Sequence, residues 1–519
     1  MAIRIFEDLI MSTNKLYLNS VTTVSSKFFS ALVQILCLPI LIKVYGKGEY
    51  GLIVIALFLN TFIAILQFGI PSGMLKFVAE WIAKGQKQEM VKATRTVTTF
   101  YLVIALINVV IILSIRYFFI DMFKIHPEQM VILGSLLIVT AVASFVSIPV
   151  GLIDQLLSGV QEIAFIAKMQ MIKNAIYASL VFYIFLNPQK LSIVEYYILN
   201  VIIMFSMVPV KLMRWTRHSS LRVFIPGWNF KSIFPLLKYC SSLLVLAVFI
   251  ILADKLTPMI MSVRVSANAA EHMTDYQIIN NVRMFIMMIG SSFFMTLVPY
   301  VSHEFAKGNT HVYKKTIQHA TKPVWAVGAL IGFGVILLSK ELLTIYVGVE
   351  NLYLHKWLIL LVASVIYNLY NPCISSVIIA SGRTLPLVAI SGCACLVSLV
   401  ACWMLCPVTA IGAIVIANVI YTGIAFLGSH FYYLPKCFGV SPIEQIMKVL
   451  LPPVLSGLIM LFSVRYLLDW LDIASPFVTI VIGAITGFVV YSLVILTIYI
   501  KPVDAMLLIN KVKKNRTDN

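Results

Sequence analysis

The chain has 519 residues, 61% of them hydrophobic and only 12% charged, with a mean hydropathy of +0.97. Soluble domains are ~25% charged and ~45–50% apolar, so lipid must solvate most of this chain, and a water-soluble globular domain is excluded. The net charge of +18 does not point to nucleic acid. The basic residues sit singly or in small groups between apolar runs, as the positive-inside rule distributes them.

Apolar stretches of ~20 residues cross the hydrocarbon layer. In chain order they predict about fourteen spans, at 20–42, 50–75, 96–117, 130–153, 163–186, 192–213, 236–262, 276–301, 322–347, 355–380, 385–406, 408–434, 448–469 and 475–500. The first ~18 residues are mixed polar and the first run is long enough to stay as a helix, so no cleavable leader is expected. Of the 39 Lys and Arg, about 27 fall on the side of the termini and about 10 on the other, with Lys27 and Arg283 inside spans. That asymmetry places both termini in the cytoplasm. The basic loop from Lys211 to Lys238 reads as a topology determinant resting on anionic lipid, in preference to a regulatory site. The loops are too short for a soluble catalytic domain. The phosphate-loop, zinc-protease and nucleophile-elbow motifs do not occur. The eight cysteines, Cys393, Cys395, Cys402 and Cys406 among them, lack neighbouring His or acidic residues and read as small apolar side chains. No metal, no cofactor and no enzyme activity are expected.

Long-offset self-similarity follows. Ala83-Lys84-Gly85 recurs as Ala306-Lys307-Gly308, and Pro149 with Ser158-Gly159 recurs as Pro372 with Ser381-Gly382, both at an offset of 223. Upstream, Lys27 matches Lys255 and Pro71 matches Pro299 at 228. These matches lie six spans apart. Six is even, so the repeat is parallel, with its axis along the membrane normal. The expected organisation is an N-terminal lobe at 1–218, a C-terminal lobe at 219–440, and two appended spans with a basic tail at 441–519. The lobes enclose a central cavity and rock to give alternating access.

Charges in hydrocarbon are costly and usually face a cavity or a partner. Lys27, Lys76, Lys255 and Arg283 lie on spans one, two, seven and eight, and they predict an electropositive cavity suited to phosphate. The bland readings are that Lys76 pairs with Glu80 four residues on and that Lys255 snorkels. Asp254 either neutralises a neighbouring cation or serves as a proton or Na⁺ site. Pro71, Pro258 and Pro299 are candidate kinks.

Tyr45-Gly46-Lys47-Gly48-Glu49-Tyr50-Gly51-Leu52 resembles a loop of the polysaccharide-exporting branch of the multidrug/oligosaccharidyl-lipid/polysaccharide exporters. Phe68-Gly69-Ile70-Pro71-Ser72-Gly73 with Lys76-Phe77-Val78-Ala79, and Leu297-Val298-Pro299 with Ala306-Lys307-Gly308, are similar to the ends of that branch's second and eighth spans. Tyr45 departs from the usual aliphatic residue. The resemblance implies an inner-membrane flippase that moves an undecaprenyl-pyrophosphate-linked oligosaccharide, an O-antigen or capsular repeat unit, to the outer leaflet. Implied partners are that lipid-linked oligosaccharide, the bilayer, H⁺ or Na⁺, and the polysaccharide polymerase and assembly proteins. The competing readings are a drug or metabolite antiporter of the same superfamily and a membrane-embedded polymerase. The first would favour an acidic cavity and the second a long external loop.

Overall fold

The structure is a computed structural model and describes residues 2–60, 67, 69–188, 190–306, 317, 321–370, 374, 377 and 385–499. Among the described residues the regular structure is helical and no strand occurs. The main helices are α1 (Ala2–Asn60), α2 (Ile70–Ala83), α3 (Lys87–Phe118), α4 (Pro127–Gly159), α5 (Ile163–Leu186), α6 (Ile193–Phe205) and α7 (Val208–Trp215). They continue with α8 (Phe230–Arg264), α9 (Ala269–Ala306), α10 (Thr321–Leu337), α11 (Ser339–Val347), α12 (His355–Tyr370), α13 (Leu385–Thr409) and α14 (Ile411–Leu427). The series ends with α15 (Leu434–Phe438), α16 (Pro442–Gln445), α17 (Leu451–Leu471) and α18 (Pro476–Tyr499). Ten helical stretches are long and apolar enough to cross a membrane, or eleven if the bent pair α10–α11 is one span. Of the other three expected spans, 236–262 and 276–301 lie within the helices α8 and α9, and 50–75 includes residues outside the described set.

Gly46 supplies the break between the first two expected spans. Its φ of +76° interrupts α1, a conformation that costs glycine little and other residues more. The turn expected over several residues therefore contracts to a single glycine. At the start of α2, Gly69 at φ +67° precedes Ile70 and Pro71 stands in the first turn, the position where a missing N–H costs nothing.

The chain divides into two compact units. The first comprises residues 1–282 and 391–421, and the second residues 283–390 and 422–519. This partition by packing differs from the 1–218 and 219–440 lobes read from the repeat.

The core of the first unit is built on ridges of four-residue spacing. Ile70, Met74 and Val78 of α2 meet Ala93, Val97 and Tyr101 of α3 and Ile148, Leu152 and Leu156 of α4. Gly159 lets α4 close on α2, since a methyl there would run into Val78; small residues serve this purpose between membrane helices. Below this core the loop from residue 221 to 229 is strapped to α3. Thr98 Oγ1 donates to the Val223 carbonyl at 2.9 Å, and Thr99 Oγ1 to the Gly227 carbonyl at 2.8 Å. Asn229 N–H donates to Thr96 Oγ1 at 2.9 Å, and the Trp228 ring stacks on Phe100 at 5.4 Å. The basic loop is thus an ordered part of the first unit, fixed by the threonines of the Thr94–Thr99 run.

In the second unit, α10 and α11 meet at a bend of 68°, where Ser339 Oγ lies 2.9 Å from His355 Nδ1. The last two helices pack on α10. Tyr491 OH donates to the Ala326 carbonyl at 2.7 Å, and Gly457 accommodates Phe333. Arg465 bridges Glu341 at 3.0 Å and Asp469 at 3.1 Å.

Candidate functional site

Five segments of the first unit converge on a polar cavity of about 330 Å³. From α1 come Ser30 and Gln34, and from beyond the Gly46 break comes Tyr50. The helix α5 contributes Gln170, Lys173, Asn174 and Tyr177, α6 contributes Asn200, and α9 contributes Gln277 and Asn281. The spacing explains the convergence: positions 170, 173, 174 and 177 fall on one face of a helix, as do 277 and 281. Lys173 and Asn174 sit at the middle of the 24-residue α5. The cavity is therefore at mid-membrane depth, where transporter sites concentrate.

The lining side chains hold one another in place. Asn174 Nδ2 donates to Ser30 Oγ at 2.5 Å, tying α5 to α1. Gln277 Nε2 donates to Asn281 Oδ1 at 2.7 Å. Tyr177 and Tyr196 share a hydroxyl–hydroxyl hydrogen bond of 3.1 Å. Such a lining offers amide and hydroxyl groups to a ligand, together with one ammonium and no carboxylate. Lys211 and Asp154, paired with each other at 2.7 Å, act electrostatically on the Lys173 amino group.

A second feature is a clamp beside this cavity. Lys47 Nζ lies 2.7 Å from Asp275 Oδ1, and the carboxylate is only 3% exposed. Thr274 Oγ1 donates to the Lys47 carbonyl at 2.7 Å. Gly51 packs so tightly that a methyl would overlap the Ala270 carbonyl oxygen. The Tyr45–Gly51 motif is therefore docked onto the first turns of α9. Glu162 anchors α7 in the same unit. Arg214 reaches both of its oxygens at 2.9 and 3.0 Å, with His218 Nε2 at 3.3 Å.

The residues singled out from sequence are distributed as follows. Lys27 is half-buried on α1, three residues before Ser30 of the cavity. Lys255 pairs at 2.7 Å with its chain neighbour Asp254. Glu80 pairs with Lys84, one turn on, at 2.5 Å, while the side chains of Lys76 and Pro299 lie outside the described residues. Arg283 is half-buried and belongs to the second unit. Pro258 is buried within α8; lacking an N–H, it leaves the Asp254 carbonyl without its i+4 donor. The structure thus brings Asp254 and Lys255 together. The cavity residues are not legible in the sequence because all of the polar ones except Lys173 are uncharged. Lys173 escaped because it was counted with the loops, although it lies about ten residues inside the fifth span.

This architecture defines a class: a polytopic helical protein with the fold of the MOP-superfamily transporters. The MatE family model matches residues 246–404. Among solved structures, the lipid II flippase MurJ in its inward closed conformation superposes with a TM-score of 0.69 at 15% identity, covering 92% of this chain and 99% of its own. An inward-facing MATE-family multidrug-resistance transporter gives 0.54 at 14% identity, covering 77% of this chain and 96% of its own. A MOP-superfamily transporter from Pyrococcus furiosus, described as having a binding pocket of reverse polarity, gives 0.55 at 14% identity, covering 80% and 96%. At these identities the likeness is one of fold. No curated protein matches the sequence significantly.

Proposed function

We propose that this protein is a flippase that carries an undecaprenyl-pyrophosphate-linked oligosaccharide, such as an O-antigen or capsular repeat unit, from the inner to the outer leaflet of a bacterial cytoplasmic membrane. In this reading both termini are cytoplasmic, two lobes alternate access around a central cavity, and an H⁺ or Na⁺ gradient drives the cycle. The observation that carries it is the extent of the fold match. The lipid II flippase structure covers 92% of the chain, whereas the MATE multidrug-resistance transporter covers 77% and the Pyrococcus furiosus transporter 80%. The extra length is what a lipid carrier uses and a twelve-helix drug antiporter lacks. The mid-membrane cavity supports the same reading, because amides and hydroxyls replace water around a saccharide and no carboxylate lines it to attract a cationic drug. Lys27, Lys76, Lys255 and Arg283 are proposed to hold the pyrophosphate, with Asp254 and Glu80 setting their charge balance and Pro71, Pro258 and Pro299 the kinks.

The MatE match over residues 246–404 favours one second reading, a drug or metabolite exporter of the same superfamily. Deleting the gene separates the two. The flippase reading expects lipid-linked repeat units to accumulate on the cytoplasmic leaflet. Normal arrival at the outer leaflet without polymerisation would favour a polymerase, and unchanged lipid-linked pools with raised drug sensitivity would favour the exporter.

A further inference from the structure

The cavity pairs many neutral hydrogen-bonding groups with a single cation, and that combination is selective. A pyrophosphate carries several negative charges and calls for clustered Arg and Lys. Among the described residues Lys173 is the only cation in the lining, and no arginine contributes. Hydroxyl groups alone would need no ammonium, and holding one at mid-membrane depth is costly unless it meets an anion. Among the described residues no ion pair reaches Lys173, and Asp154 is already engaged by Lys211 at 2.7 Å. Asn174, held by Ser30, and Gln170 flank the ammonium on the same helical face, while Asn200 and Gln277 add donors and acceptors from other helices. The cavity, about 330 Å³, lies at the lower end of small-molecule sites, ~300–1,000 Å³, and suits a short saccharide.

We infer that this cavity recognises an acidic sugar of the cargo, with Lys173 pairing with its single carboxylate and the surrounding amides and tyrosine hydroxyls reading its hydroxyl groups. Lys173 is then a specificity-determining residue, separate from the groups that hold the pyrophosphate. The inference rests on the flippase reading above.

The test uses the full chain in lipid nanodiscs and two undecaprenyl-pyrophosphate-linked disaccharides identical except at one C6, which is a carboxylate in the first (glucuronic acid) and a hydroxymethyl in the second (glucose). Binding is measured for the wild type, Lys173→Gln and Lys173→Arg. A charge-assisted hydrogen bond in a desolvated site corresponds to about 10- to 100-fold in affinity. The wild type is expected to prefer the glucuronate lipid by that factor. Lys173→Gln removes the preference, its loss falling more heavily on the glucuronate lipid, and Lys173→Arg keeps most of it. Folding of each variant is read separately by size-exclusion chromatography and thermal unfolding, and if Lys173→Gln does not fold, Lys173→Arg decides the question: retained preference supports the pairing, and lost preference overturns it. Equal binding of both lipids by the wild type refutes the acidic-sugar inference and leaves the flippase reading intact. Binding of neither lipid refutes the flippase reading and this inference with it.

Discussion

The pair Lys47–Asp275 gives the sharpest stability prediction. Its carboxylate is 3% exposed and its ammonium 22%, at 2.7 Å. Removing one partner of a buried pair leaves an uncompensated charge and costs ~3–5 kcal/mol. The residual exposure of Lys47 lets water reach its head, so about 3 kcal/mol, the lower edge of that range, is expected for Asp275→Asn. With an unfolding entropy of ~2.1 cal/mol/K per residue over 519 residues, that loss lowers the midpoint by about 3 °C. The assay is thermal unfolding of the purified protein by intrinsic fluorescence, run as a double-mutant cycle. Lys47→Met alone removes the ammonium 2.7 Å from the buried carboxylate and also destabilises. The double variant has no stranded charge and should recover most of the loss, because replacing both partners of a buried pair is often nearly neutral. Additive losses in the double variant would show that the two side chains do not act as a pair and would refute the clamp.

Two glycines of the same motif should respond differently. Gly46→Ala meets no atom within 4 Å and is strained only by its backbone, at φ 76° and ψ 165°, so it should cost about 1–3 kcal/mol without disturbing the packing around it. Gly51→Ala drives a methyl into the Ala270 backbone and should sharply reduce folded protein, as read by size-exclusion chromatography of a fluorescent fusion. In Arg214 a single guanidinium nitrogen, Nη2, reaches both Glu162 oxygens, a contact that a lysine ammonium can repeat, so Arg214→Lys should cost no more than about 1 kcal/mol in the same thermal assay. On the proposed flippase function, Arg283→Ala should impair export of lipid-linked oligosaccharide at normal membrane levels, with Arg283→Lys retaining part of it; full activity in Arg283→Ala would refute its role in holding the pyrophosphate.

The helical architecture was legible because hydrocarbon thickness imposes a length on every crossing, and the expected spans fall on helices. Their breaks were less legible. Between the first two spans a loop was expected from the polar letters of Tyr45 to Glu49, yet the helix runs through them and yields only at Gly46. Lys47 and Glu49 read as loop residues because charge in an apolar run suggests water. Lys47 instead meets Asp275, 228 positions away, and pairing at that separation leaves no local trace. The cavity was hidden for the opposite reason. Gln34, Asn174, Asn200, Gln277 and Asn281 carry no charge and so drew no notice in a census of intramembrane ions. The one available signal was the spacing of Gln170, Lys173 and Asn174 on a single face of an otherwise apolar helix.

That contrast bears on how a carrier of this fold can work. A cargo with a multiply charged head and a hydroxyl-rich body poses two solvation problems, and one constellation of side chains cannot solve both. Clustered cations suit the head, but extended around a saccharide they would repel one another and stay empty at high cost in hydrocarbon. Neutral side chains can pair with one another, as Gln277 does with Asn281 and Asn174 with Ser30, and in the proposed carrier they would exchange those bonds for sugar hydroxyls. Each exchange is nearly neutral in free energy, so the saccharide is bound without being trapped, which a carrier that must release its cargo on the far side requires. A single ammonium at Lys173 adds discrimination to such a surface without making it sticky. The division between a charged set, read easily from sequence, and an uncharged set, read only from structure, therefore follows from the chemistry of the cargo we propose.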